Sequence, residues 1–195
     1  MKLFLKMKPW QLFVLLFGAP YLILGVSMVG GDFKRMFTIV PIVTLAFSGP
    51  FIAWFWSLGI HINRWVSRDI RPNPRRFRLV LCYVSVYLLL FTALFMRMFT
   101  GKVGVGLLAF IVPFHILAMF CMFYAVYFVA KNFVMAERNV KVGFYECAGP
   151  FFLIWMYPIG VWFIQPRINR MFEERERTQQ DESTVLSEGT PSEKL

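Results

Sequence analysis

Long apolar runs alternate with short polar segments along this chain. The run "WQLFVLLFGAPYLILGVSMVGG" follows a lysine-bearing start, "MKLFLKMKPW", and predicts a helix over about residues 10–29, kinked at Pro20. It is about twice the ~7–15-residue core of a secretory signal and has no small-x-small end, so an uncleaved span is expected. The second run covers about residues 37–62 and includes Pro41, "SGP" at Ser48–Pro50 and the aromatic cluster "FIAWFW". The third, residues 79–97, is free of proline and ends at Arg97. The fourth, residues 107–130, contains Pro113 and His115. Beyond it, Phe133, Val134, Ala136 and Val140 keep helical spacing, so this helix is expected to continue past the apolar stretch. Each run approaches the ~20 apolar residues that cross a bilayer. The fold class these runs predict is an all-α integral membrane protein.

A fifth apolar stretch, "FFLIWMYPIGVWFIQPRINR", is shorter. Residues 151–165 lie between Pro150 and Pro166 and are broken by Pro158, with Gly160 beside the break. Apolar runs of ~10–14 residues are more often re-entrant or interfacial than spanning. The expectation is therefore four transmembrane helices plus a proline-broken hydrophobic segment, with five spans as the alternative. Residues 1–170 form the helical membrane domain. Residues 171–195 have no aromatic residue after Phe172 and few large aliphatic ones, and are expected to be a disordered, acidic tail.

Charge fixes an orientation. Lys and Arg in short loops resist translocation. With the N-terminus inside, twelve of them fall inside: Lys2, Lys6, Lys8, six arginines in "NRWVSRDIRPNPRRFR", Lys131, Arg138 and Lys141. Four fall outside: Lys34, Arg35, Arg97 and Lys102. If the fifth stretch does not cross, Arg167, Arg170, Arg175 and Arg177 join the inner side, and sixteen stand against four.

Composition agrees. The 195 residues are 58% hydrophobic and only 16% charged, with a mean hydropathy of +0.59; an average soluble domain is ~25% charged. The net charge of +10 comes from bases that flank apolar runs. That placement suits anionic lipid headgroups rather than nucleic acid.

Candidate chemistry is sparse. His115 lies at membrane depth, where an ionisable group is a functional candidate; it could equally bond a neighbouring helix or a carbonyl freed by Pro113. Arg97 ends a span and can reach the interface. Glu146 precedes the broken stretch and could carry a proton, pair with the arginine loop or sit in interfacial water. In the loop, Arg64, Arg68 and Arg71 share one face if the helix continues, Trp65 anchors at headgroup depth, and Arg75, Arg76 and Arg78 add to the same headgroup-binding patch. A bis-histidine haem is not expected, because His61 and His115 differ in depth by more than ~10 Å at ~1.5 Å per residue. Cys82, Cys121 and Cys147 form no C-x-x-C pair, and neither a metal nor any other cofactor is expected. Phosphate-loop, zinc-protease and nucleophile-elbow motifs are lacking.

The block around P-I-G-x-W-x-I-Q-P-R-I-N comprises Pro158, Gly160, Trp162, Gln165, Pro166, Arg167 and Asn169. It resembles the C-terminal block of small bacterial multi-span inner-membrane proteins to which no activity is attached. The resemblance covers about 25 residues. In those proteins a more acidic run leads into the block, whereas here Pro150 puts the helix start in question. The resemblance implies a bacterial inner-membrane protein. The favoured function is a non-enzymatic accessory or scaffold protein that holds a partner or organises anionic lipid, itself a homo-oligomer or part of a larger complex. The alternative is a small channel or transporter subunit using His115 and the kinked helices; an enzyme of lipid-linked phosphates is a third class.

Overall fold

The computed structural model describes residues 3–29, 33–99 and 106–188, and among these there is no strand. A short helix α1 (Leu3–Lys6) leads into α2 (Pro9–Phe13), a π-helical turn (Val14–Gly18) and α3 (Ala19–Met28), which together make the first long helix. The π turn sits one turn ahead of Pro20, with the Ala19 N–H reaching back to the Val14 carbonyl. The wider turn is a route by which a helix absorbs proline. Next comes α4 (Phe33–Ser57), which passes through Pro41 and Pro50 into a second π turn (Leu58–Ile62) and α5 (Asn63–Trp65). Then follow α6 (Arg75–Phe99) and α7 (Gly106–Arg138).

Four helical stretches are long and apolar enough to cross a membrane: Pro9–Ser27, Ile39–Trp65, Arg75–Arg97 and Ala109–Arg138. These are the four spans the apolar runs predict. The fourth helix continues to Arg138, as the spacing past Ala130 indicates. It ends at Asn139, which takes φ 52°. That left-handed conformation suits asparagine and stops the helix.

The fifth stretch is a bent pair. α8 (Phe144–Trp155) and α9 (Tyr157–Glu188) meet at an angle of 120°. Three sequence expectations change here. Pro150 lies inside α8, whose start is set upstream by Gly143 and Glu146. The chain breaks at Met156, and Pro158 falls in the first turn of α9, where a missing N–H costs nothing. Pro166 does not close the helix but lies within it.

The tail also differs from expectation. Residues 171–188 are helical rather than disordered, and residues 189–195 lie outside the described residues. Composition alone overlooks that a helix already nucleated by packing extends at little cost. Phe172 is buried, and Lys6 lies 2.8 Å from Glu176, so the helix is held to the bundle well past Arg170.

Packing is concentrated at one end. The main core joins Leu5, Leu12 and Leu16 with Trp54, Phe55, Leu58 and Ile62, then Phe77, Leu81, Phe128, Phe133, Ile164 and Ile168. All lie towards the end that carries the α5–α6 loop. Towards the other end, Leu22, Val26, Leu89, Leu90, Phe110 and Val112 are exposed. Lipid is as apolar as these side chains, so nothing drives them inward. Gly59, in the second π turn, lets the core close: a Cβ there would lie 2.2 Å from the Phe77 ring.

Candidate functional site

The packed end of the bundle is also its basic end, and four parts of the chain are tied together there. Gln165 is fully buried on α9. Its Nε2 donates to the Phe4 carbonyl at 2.8 Å, the Met7 carbonyl at 3.2 Å and Asn169 Oδ1 at 3.1 Å. Asn169 Nδ2, one turn on, also donates to the Met7 carbonyl at 3.2 Å. Residues 165 and 169 thus bind the start of the chain. Between them, Arg167 grips Glu137 at the end of α7 with two donors, Nε at 2.9 Å from Oε1 and Nη2 on Oε2. The Arg167 guanidinium also lies 4.7 Å from the centre of the Phe133 ring. Two turns further, Arg175 Nη2 donates to the Trp65 carbonyl at 2.9 Å, with the guanidinium over the Trp65 ring.

These contacts explain the distinctive C-terminal block. Gly160 makes the bend, Gln165 and Asn169 hold the N-terminal segment, Arg167 fixes α9 against α7, and Ile164 and Ile168 fill the core between them. Trp162 faces outward and is half exposed. The block therefore closes the fold.

Gln165 presents donors only to oxygen atoms. Replacing it with Glu aims an acceptor-only carboxylate at the same three oxygens, which raises that carboxyl's folded-state pKa above the usual ~4.3. Such a variant loses stability as pH rises through the unfolded value towards the folded one, and regains it below about pH 4. Gln165→Glu is expected to melt well below the parent at pH 8 and to narrow the gap at pH 4.5; an equal deficit at both would contradict this. The cost of a lost buried bond is about 1–3 kcal/mol.

The arginine loop differs from a continued helix. Val66 takes an extended conformation, φ −72° and ψ 137°, and α5 stops at Trp65. Arg71 turns back over the exposed end: its Nη2 donates to the carbonyls of Arg64 (2.8 Å) and Val66 (2.7 Å), and its Nε to Val66 as well (3.0 Å). Arg64, Arg68 and Arg71 therefore do not form one helical face, because Arg71 caps the helix that would have carried them. Trp65 is half-buried between Arg175 and Phe172 instead of standing free as an anchor. The loop is pinned by buried Asn63, whose Nδ2 donates to the Pro72 carbonyl and to Asn132 Oδ1, both at 2.9 Å. Asn132 Nδ2 in turn donates to the Phe128 carbonyl at 2.7 Å, and Ser67 donates to Asn139. Arg64, Arg68, Arg75, Arg76 and Arg78 remain exposed around this frame.

The other candidates stand apart from this end. Glu146 Oε2 accepts the Gly143 N–H at 2.6 Å and closes a capping box on α8. That is a structural task, and among the described residues Glu146 makes no ion pair with the arginine loop. Arg97 lies in the last turn of α6, where a cation meets the free carbonyls. His115 is exposed on the outer surface of α7, its Nδ1 2.7 Å from the Tyr87 hydroxyl on α6. Tyr83, one turn away, donates to the Phe114 carbonyl at 3.1 Å. The pairing with a neighbouring helix is the packing role, and a position on the outside of the bundle is a poor one for lining a path. Among the described residues, no group of three His, Cys, Asp or Glu is placed to hold a metal ion.

No family model, curated protein or solved structure matches the chain.

Sequence reasoning missed Asn63, Asn132, Glu137, Gly59 and Tyr87. Asn132 does carry a signal: it falls in the helical extension after Ala130, where a buried polar side chain needs a partner.

Proposed function

We propose that this chain is a non-enzymatic scaffold of a bacterial inner membrane, with its N-terminus cytoplasmic, that gathers anionic lipid around its basic end and so holds a place for a partner, a second copy or another membrane chain. The observation that carries this reading is the exposed set Arg64, Arg68, Arg75, Arg76 and Arg78. Arg64 lies in α5, Arg68 in the loop, and Arg75, Arg76 and Arg78 at the start of α6, and the Asn63–Asn132 pair and the Arg71 cap hold this junction in one shape. Each base near an anionic surface contributes about 1 kcal/mol, and a fixed junction spends little entropy in collecting several such contributions. The excess of bases on one side supports the orientation, and the resemblance of the C-terminal block supports the bacterial membrane.

The test is lipid selection. Purified protein in nanodiscs made from a mixture of phosphatidylglycerol and phosphatidylcholine is expected to enrich the anionic lipid in its bound shell. A variant with Arg64, Arg68, Arg75, Arg76 and Arg78 changed to Gln is expected to lose that enrichment while keeping its melting temperature. A shell of bulk composition around the parent protein would overturn the proposal.

A further inference from the structure

One cleft at the basic end differs from the rest of the cationic rim. It has a volume of about 420 Å³ and lies between the start of α6 and the inner part of α7. Arg75 and Arg76 line one wall, Tyr124, Tyr127 and Lys131 the other, and Phe128 is among the residues between. Three cations meet here, and no acid is among the lining residues. Among the described residues, none of the three cations is in an ion pair. The cleft beneath Arg167, Arg170 and Arg175 is larger, about 720 Å³, but Glu137 and Glu174 line it too and already answer its charge. The clefts lined by Tyr21 and Phe47 and by Tyr87 and Phe114 are mainly apolar.

We infer that the cleft of Arg75, Arg76, Lys131 and Tyr127 binds one phosphate-bearing headgroup. The inference rests on the reading of the basic end as a lipid-gathering surface and narrows it to a single site. Four features converge. Arg75 and Arg76 are exposed and offer planar donor forks that match phosphate oxygens. They sit in the first turn of α6, a 25-residue helix, and the positive end of a long helix favours an anion. The Arg75 N–H is held by Asn73 Oδ1 at 2.9 Å, which orders that turn. Across the cleft, Lys131 Nζ lies 5.6 Å from the Tyr127 ring centre, so its ammonium is steadied against the wall without being neutralised. Two tyrosines at this level are the side chains that mark headgroup depth. Further along α6, exposed Leu79, Val86 and Leu90 give acyl chains an apolar surface to lie on. The volume falls within the ~300–1,000 Å³ of small-ligand sites.

Native mass spectrometry of the full chain in detergent, titrated with phosphatidylglycerol, tests the site. One phosphatidylglycerol is expected to stay bound after the others are stripped. Arg76→Gln and Lys131→Gln are each expected to weaken that one by about fivefold, the factor for one base at an anionic surface, and the double variant by more than tenfold. Lys141→Gln, an exposed base beyond the end of α7 and outside the cleft, is the control and is expected to leave the retained lipid in place. Melting temperatures of all variants show that each is folded. Inorganic phosphate is the second arm: failure to displace the lipid assigns the headgroup as part of a lipid, while displacement at comparable concentration assigns the same site to a soluble phosphate. Equal weakening by the control and the cleft variants would overturn the inference and leave the lipid-gathering reading standing. No preference for phosphatidylglycerol over phosphatidylcholine in any form would overturn both.

Discussion

Adding a single methyl group at Gly160 is expected to remove the folded protein from detergent extracts. A Cβ at this position would lie 1.6 Å from the Leu153 carbonyl oxygen and 2.4 Å from its carbon. The obstacle is backbone from the neighbouring helix, so no rotamer change relieves it. Either the 120° bend opens or α9 moves away from α8. The turn has little slack: the Met156 N–H is bonded to the Phe152 carbonyl at 2.8 Å, and the Gly160 N–H to the Met156 carbonyl at 2.9 Å. Overpacking a core with movable side chains costs about 1–3 kcal/mol, and a fixed carbonyl puts the cost at the top of that range or above it. Gly160→Ala is expected to give aggregated or proteolysed material on size-exclusion chromatography. Gly149→Ala, where a Cβ meets nothing within 4 Å, is expected to behave as the parent. A monodisperse Gly160→Ala protein with parental melting would mean that the bend is not built this way.

The second large effect is topological and all-or-none. A reporter fused beyond Thr178 is expected on the same side of the membrane as one fused at the N-terminus. Arg167 in α9 and Glu137 at the end of α7, thirty residues apart, are joined by an ion pair. α7 ends at Arg138, and α9 regains the same level at Arg167. The chain between them leaves the level of Glu137 and returns to it. Gln165 and Asn169 say the same of the N-terminal segment, and Arg175 of the α5–α6 loop. If the bent pair crossed as one span, Arg167 and Glu137 would lie a bilayer apart, ~30 Å of hydrocarbon. A cytoplasm-only fluorescent reporter at both positions is expected to light up, and a periplasm-only phosphatase at neither. Activity of the phosphatase beyond Thr178 alone would establish five crossings. Disrupting the pair with Glu137→Arg should lower the yield of folded protein, and Glu137→Arg with Arg167→Glu should restore part of it.

The four long helices are legible in the sequence because a bilayer imposes a length and a polarity that any window of twenty residues reveals. Short-range signals were legible too: the helical spacing of Phe133 and Val134, and the short apolar stretch from Phe151. What was not legible depends on partners far along the chain. Arg71 reads as a third headgroup base beside Arg64 and Arg68 until the chain turns at Val66 and brings it over the end of α5. Glu146 reads as a candidate proton carrier until Gly143 is seen beneath it. Pro158 and Pro166 read as breaks, yet one starts a helix and the other lies inside one, because the bend is set by Met156 and by the approach of Leu153 to Gly160. The acidic stretch after Arg170 reads as disorder by composition, and only the contacts of Phe172, Arg175 and Glu176 with the loop and the N-terminal segment show why the helix persists.

The bonds from Gln165 to the carbonyls of Phe4 and Met7 join residues separated by 161 and 158 positions. That pairing sets a clock on biosynthesis. At ~5–20 residues per second, the first span waits on the order of 10–30 s before Gln165 is made, and longer until it clears the ribosome. During that interval the Phe4 and Met7 carbonyls have no amide to accept, and Leu5, Leu12 and Leu16 lack the α9 surface formed by Ile164 and Ile168. Insertion of the spans and closure of the molecule are therefore separate events in time. The segment from Phe4 to Leu16 is the one that must be kept waiting, and a ribosome that stops short of residue 165 leaves it without the Gln165 bonds.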